Sequence, residues 1–254
     1  MGEEGPLATA ATAATGTAGP EATALDGTVG AAIRRSVGTR ARRWLVGATL
    51  LAGLLAGVAL IAAANPADRT FAAFSDTVQS LMSVVVPLFG ILLAHDLRRA
   101  PRPARVTPIL LATIVLAAVV GVFGVLICAA TLLLAPAEIA GQPWRHAGTV
   151  AVGSVLVQIV AGLVGTGLGL LLRSRVVAFL ATIVLPLGLW ALLGAVDALR
   201  PVQPWLTPYG SVRQLLSGDM SPLRWAQWLT VLLIWGVGLN ALGAAVLKGR
   251  TARG

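Results

Sequence analysis

The sequence predicts an all-α integral membrane protein with six transmembrane helices, and three observations carry that fold class. Six long apolar segments, each free of charged side chains, run over residues 44–64, 77–94, 107–134, 147–172, 176–196 and 226–247. Each can cross a hydrocarbon core about 30 Å thick at about 1.5 Å per helical residue. Hydrophobic residues make up 57% of the chain and charged residues 11%, too little polar surface for a soluble globule of this size. The third observation is where the charge sits. Of 19 Lys and Arg, 14 fall on one side if the six segments alternate direction: five in 34–43, four in 98–105, Arg173 and Arg175, and three in 248–253. Arg69, Arg145, Arg200, Arg213 and Arg224 fall on the other side. The positive-inside rule then places both termini in the cytoplasm. The formal charge of +9 is spent on topology, so no nucleic-acid partner is expected.

Taken in order, residues 1–26 are an Ala/Thr/Gly tract broken by Pro6 and Pro20, which reads as a disordered N-terminal tail. Glu3 and Glu4 stand where a signal peptide would have basic residues, and no apolar stretch follows them. The transmembrane domain is expected over 27–250, with a short tail at 251–254. Before the first span, Val29, Ile33, Val37 and Ala41 recur every fourth residue, among Arg34, Arg35, Arg40, Arg42 and Arg43. That spacing predicts a basic amphipathic helix lying in the headgroup plane, in contact with membrane lipid.

Within the spans, Gly53-xxx-Gly57 and Gly165-xxx-Gly169 would allow close helix approach. Pro87 and Pro186 each remove a backbone donor and can kink the second and fifth spans, whereas Pro108 sits in a first turn at little cost. The stretch 197–225 is the longest between spans. It carries Pro201, Pro204, Pro208 and Pro222 with Trp205, Tyr209 and Trp225, and Trp228 follows it. Such aromatics settle at membrane interfaces, so this stretch is expected to lie on the membrane or dip into it.

Several chemistries are excluded. The one lysine, Lys248, is in Leu-Lys-Gly-Arg, so the sequence has no Gly-x-x-x-x-Gly-Lys phosphate loop. His95 and His146 belong to opposite faces and cannot share a metal or serve one nucleophile. Cys128, the single cysteine, lies deep in the third span and reads as a small core residue. No ionisable residue lies near the middle of a span, which argues against a self-powered carrier. No enzyme, catalytic residue, bound cofactor or metal is therefore expected on this chain. Gln158 and Asn240 read as the most polar span residues, either bonding between helices or lining a path. One further cluster, His95-Asp96-Leu97-Arg98-Arg99 followed by Pro101-Arg-Pro-Ala-Arg105, reads as a short, charged, stiff loop able to press on a cytoplasmic partner. Eighteen Arg against one Lys, with abundant Ala and Gly, points to a GC-rich bacterial genome.

This layout resembles the ABC-2 type transporter permease family. The stretch from Gly165 through Leu-Leu-Leu-Arg-Ser-Arg175 to Leu185-Pro186 is similar to the junction of the fourth and fifth spans in those permeases. Trp205-Leu-Thr-Pro-Tyr-Gly-Ser-Val-Arg-Gln-Leu-Leu216 resembles their outer segment before the last span, and Leu242 to Arg250 their basic end. Asp96 matches an acidic position of the family's first cytoplasmic loop, although the Gly-Thr pair found there is missing and the loop is shorter. The resemblance covers roughly 28–250. It implies the permease subunit of a bacterial ABC exporter in the cytoplasmic membrane, forming the substrate pathway with a second permease copy or a related permease. It also implies a separate ABC ATPase subunit, which would hold the ATP and Mg. Arg34, Arg35, Asp96, Arg98 and Arg99 are then the expected coupling residues. A non-transporting six-span scaffold or immunity protein is the alternative.

Overall fold

The computed structural model describes residues 30, 38–63, 65–99, 106–135 and 141–251. The tail 1–26, most of the expected interfacial helix with Arg34 and Arg35, and the prolines of 101–105 lie outside the described residues. Among the described residues helix is the only regular structure, and six helices are long and apolar enough to cross a membrane. They are α1 (Arg40–Ala63), α2 (Phe71–Arg99), α3 (Thr107–Leu134), α4 (Ala147–Leu171), α5 (Arg175–Ala195) and a composite sixth spanning Pro222–Gly249. Short helices α6 (Gln203–Leu206) and α7 (Pro208–Ser217) precede the sixth span.

α2 and α4 form the centre of the bundle, side by side and parallel. The pairing is read from contacts that keep one register: Gln79 with Gln158, Pro87 with Gly165, Ile91 with Gly169 and Arg98 with Leu172. Parallel neighbours arise because each helix returns through one intervening span. The approach is close enough to demand glycine. A Cβ on Gly165 would run into the Pro87 carbonyl, and one on Gly90 would come within 2.5 Å of the Gly162 oxygen. Small residues let such backbones meet, and dispersion between them replaces the hydrophobic drive that lipid removes.

α3 crosses α2 and α4 antiparallel to both, with Thr113 against Thr166 and Gly121 against Val155. α1 packs where α2 and α3 meet, its Gly53 beside Met82 and Ile127 and its Gly57 beside Thr131. Both glycine pairs singled out in the sequence therefore stand at helix contacts. The main core cluster gathers Phe71, Phe74, Val78, Met82, Val120 and Cys128, with the cysteine fully buried. α5 leans on α4 and α2 and stays exposed along most of its apolar length.

Two expectations need correction. The second span does not stop at 94: α2 continues to Arg99, so His95-Asp96-Leu97-Arg98-Arg99 is the end of a helix rather than a loop. The sixth span is not one regular helix. It comprises α8 (Pro222–Val231), a π-helical segment at Leu232–Gly238, and α9 (Leu239–Thr251). Ser221 caps α8, accepting from the Arg224 N–H, with Pro222 in the first turn. In the wide segment, the Trp235 indole donates to the Leu206 carbonyl at 2.9 Å, tying the sixth span to α6.

The stretch before the sixth span is seated on protein. Leu215 and Leu216 of α7 are buried against α4, with the Leu215 backbone against Gly153. Tyr209 meets Trp190 edge-on at 5.1 Å, and Trp225 meets Trp228 at 5.7 Å. Trp228 is 7% exposed, so its ring fills a core instead of reaching an interface.

Candidate functional site

With alternating spans, Arg40, Arg42, Arg43, Arg98, Arg99, Arg173, Arg175 and Lys248 collect at one end of the bundle. Three helix ends are joined there. The Arg42 guanidinium at the start of α1 donates to the Asp96 carboxylate near the end of α2 at 2.6 Å. Two residues on, and so about 200° round α2 from Asp96, Arg98 donates to the Leu172 carbonyl at 2.5 Å and lies 3.4 Å from that of Gly169. These are terminal carbonyls of α4, which have no donor within their own helix. A cation at that terminus also meets the negative end of the helix dipole. The Leu-Leu-Arg-Ser-Arg turn then reverses direct into α5, whose first turn is capped by Ser174 accepting from Val177.

Of the expected coupling residues, the structure thus brings Asp96 and Arg98 into one joint, while Arg99 is exposed beside them. Arg34 and Arg35 lie outside the described residues. Arg42, in the basic run before α1, is a further partner in that joint. His95 is buried, and Arg98, Arg175, Arg99 and Asp96 are the charged side chains in electrostatic range of it.

A second polar group lies inside the bundle. The Gln158 amide of α4 donates to the Gln79 side-chain oxygen at 2.8 Å and to the Gln79 backbone oxygen at 3.0 Å. Gln79 in turn donates to the Gly121 carbonyl of α3 at 3.1 Å, so two amides bind three helices. Gly124 leaves the space that the Gln79 amide occupies. Asn240 donates to the Leu163 carbonyl of α4 at 2.8 Å and to the Gly236 carbonyl at 2.6 Å. Gly236 is inside the π-helical segment, where regular bonding is interrupted. Gln158 and Asn240 are both buried and bond between helices. Gln79 and Gln227 correct the expectation that they are the most polar span residues: both are further buried amides within spans, and both are legible in the sequence.

Starting the second span at 77 also left Asp76 outside it. α2 begins at Phe71, which places Asp76 in the helix, exposed, on one face with exposed Ser80 and half-buried Ser83. Comparison with family models, with curated proteins and with solved structures finds no match.

Proposed function

We propose that this chain is the permease subunit of an ATP-binding cassette exporter of the bacterial cytoplasmic membrane, with both termini in the cytoplasm. It forms the substrate pathway with a second permease copy or a related permease, and a separate ATPase subunit supplies the energy.

The observation that carries this reading is the joint at the basic end. A force applied where α2 turns toward α3 meets Asp96, bonded to α1 through Arg42, and Arg98, bonded to the end of α4. Charge-assisted bonds of this kind are short and directional, so displacement of one helix end moves the others with little slack. A protein that converts closure of a cytoplasmic ATPase into helix motion needs such a connection. The basic residues around it suit an acidic patch on that partner. The bundle supplies the rest of the device: a stiff α2–α4 centre, and an α5 with little packing around it.

The double variant Asp96→Ala with Arg98→Ala tests the reading. It is expected to insert and assemble with the ATPase, while substrate export and substrate-stimulated ATP hydrolysis fall at least tenfold. Unchanged export and stimulation would remove the coupling role.

A further inference from the structure

α2 carries a polar rail that nothing in the coupling joint uses. Asp76, Ser80 and Ser83 recur at i, i+4 and i+7, so they stack along one face, with Thr77 beside them. Asp76, Thr77 and Ser80 are exposed and Ser83 is half-buried. Counting about 1.5 Å per residue from Phe71, the rail descends from about 7 Å to about 18 Å along the helix. It therefore enters the apolar layer from the end opposite the basic cluster. The rail stops at Pro87, which is closed off by Gly165 of α4. The same side of the helix is thus open in its first half and covered in its second. Leu81 and Val84 border the rail and are 45% and 44% exposed.

Hydroxyls can survive next to lipid by bonding backward, as Ser83 does to the Ser80 carbonyl at 2.8 Å. A carboxylate cannot, and ionisable groups within spans face water or a partner. Asp96, Asp197 and Asp219 are each paired with an arginine, whereas Asp76 in α2 and Asp68 just before it make no ion pair among the described residues.

We propose that the Asp76–Ser80–Ser83 rail is the wall of a water-filled vestibule, open at the end opposite the basic cluster, that receives the cationic group of an amphiphile while Leu81 and Val84 take its apolar part. Asp76 supplies the one fixed charge and the serines supply short-range polar contact. That this cation is transported cargo rests on the permease reading; the vestibule and its charge preference do not.

Cys128 makes the test clean, since it is the sole cysteine of the chain and is fully buried. Ser80→Cys and Ser83→Cys proteins are reconstituted in lipid vesicles, and membrane-impermeant methanethiosulfonates are admitted to both sides by freeze–thaw, so orientation does not matter. One reagent carries a trimethylammonium group and the other a sulfonate, with rates normalised to a free thiol. Both cysteines are expected to react, while unsubstituted protein and Leu126→Cys, on an exposed apolar face of α3, do not. At Ser80→Cys the cation should be favoured about tenfold, the effect of one charge about 6 Å away in a high dielectric. Adding Asp76→Asn should abolish that preference. Tetraphenylphosphonium should slow labelling of Ser80→Cys severalfold, and Asp76→Asn should remove this protection. Unreactive cysteines at both positions would overturn the vestibule. Reaction without charge preference or protection would overturn the cation site. Loss of ATPase association would overturn the permease reading while leaving these labelling results as they stand.

Discussion

The Arg42 guanidinium meets the Asp96 carboxylate at 2.6 Å, joining residues 54 positions apart and two helices that run in opposite directions. The arginine side chain is 12% exposed and the aspartate 35%, so the pair is shielded more than a surface ion pair but stays in reach of solvent. Asp96→Asn is expected to cost about 1–2 kcal/mol, between the values for exposed pairs and for bonds to buried charges. The reversed pair Arg42→Asp with Asp96→Arg should recover part of this. A double-mutant cycle on unfolding in detergent measures the coupling.

The α2–α4 seam sets a sharper expectation. Gly165→Ala places a methyl group against the Pro87 backbone, which cannot step aside as a flexible side chain can. Overpacking of this kind costs about 1–3 kcal/mol. Gly188→Ala on α5 meets nothing within 4 Å and should be neutral or slightly stabilising through helix propensity. Thermal unfolding of the two variants side by side separates packing from propensity.

Gln158→Leu should destabilise by about 0.6–2 kcal/mol, the range for interhelical polar contacts in membranes, because Gln79 loses its donor partner. Replacing both glutamines by leucine should cost less than the sum of the single changes, since no acceptor is then left behind. Denaturant titration of the two single variants and the double variant reads this directly.

Gly218 ends α7 at φ +75°, and a Cβ there would lie 2.7 Å from both His146 Cβ and Val150 Cγ2. His146, at the start of α4, is itself left-handed at φ 58°. Gly218→Ala therefore combines backbone strain with a clash, and a loss of about 1–3 kcal/mol is expected. Trypsin cleavage at Arg213 or Arg224 should also accelerate if α7 lifts from the bundle.

Much of this fold is legible in the sequence because lipid enforces simple rules. Apolar length places all six spans, within four residues at each end except for α2, and the alternation of Arg-rich and Arg-poor loops shows which ends cluster. The misses share one cause. Charge does not end a span here: α2 runs past its apolar stretch at both ends, taking in Asp76 on one side and His95–Arg99 on the other. In fact Arg98 and Asp96 extend the helix because their partners are on α4 and α1, which no local pattern shows. The π-helical segment was equally hidden: Leu232–Gly238 is apolar and regular in sequence, and only Asn240 bonding to Gly236 and Leu163 marks it.

A separate ATPase partner distinguishes the proposed permease from a non-transporting scaffold. The most direct measurement is purification of tagged full-length protein from its native membranes in mild detergent, with mass spectrometry of everything retained. A phosphate-loop ATPase at near-stoichiometric yield is the expected result. Recovery of this chain alone, across several detergents, would contradict it and favour a non-transporting membrane scaffold or immunity protein.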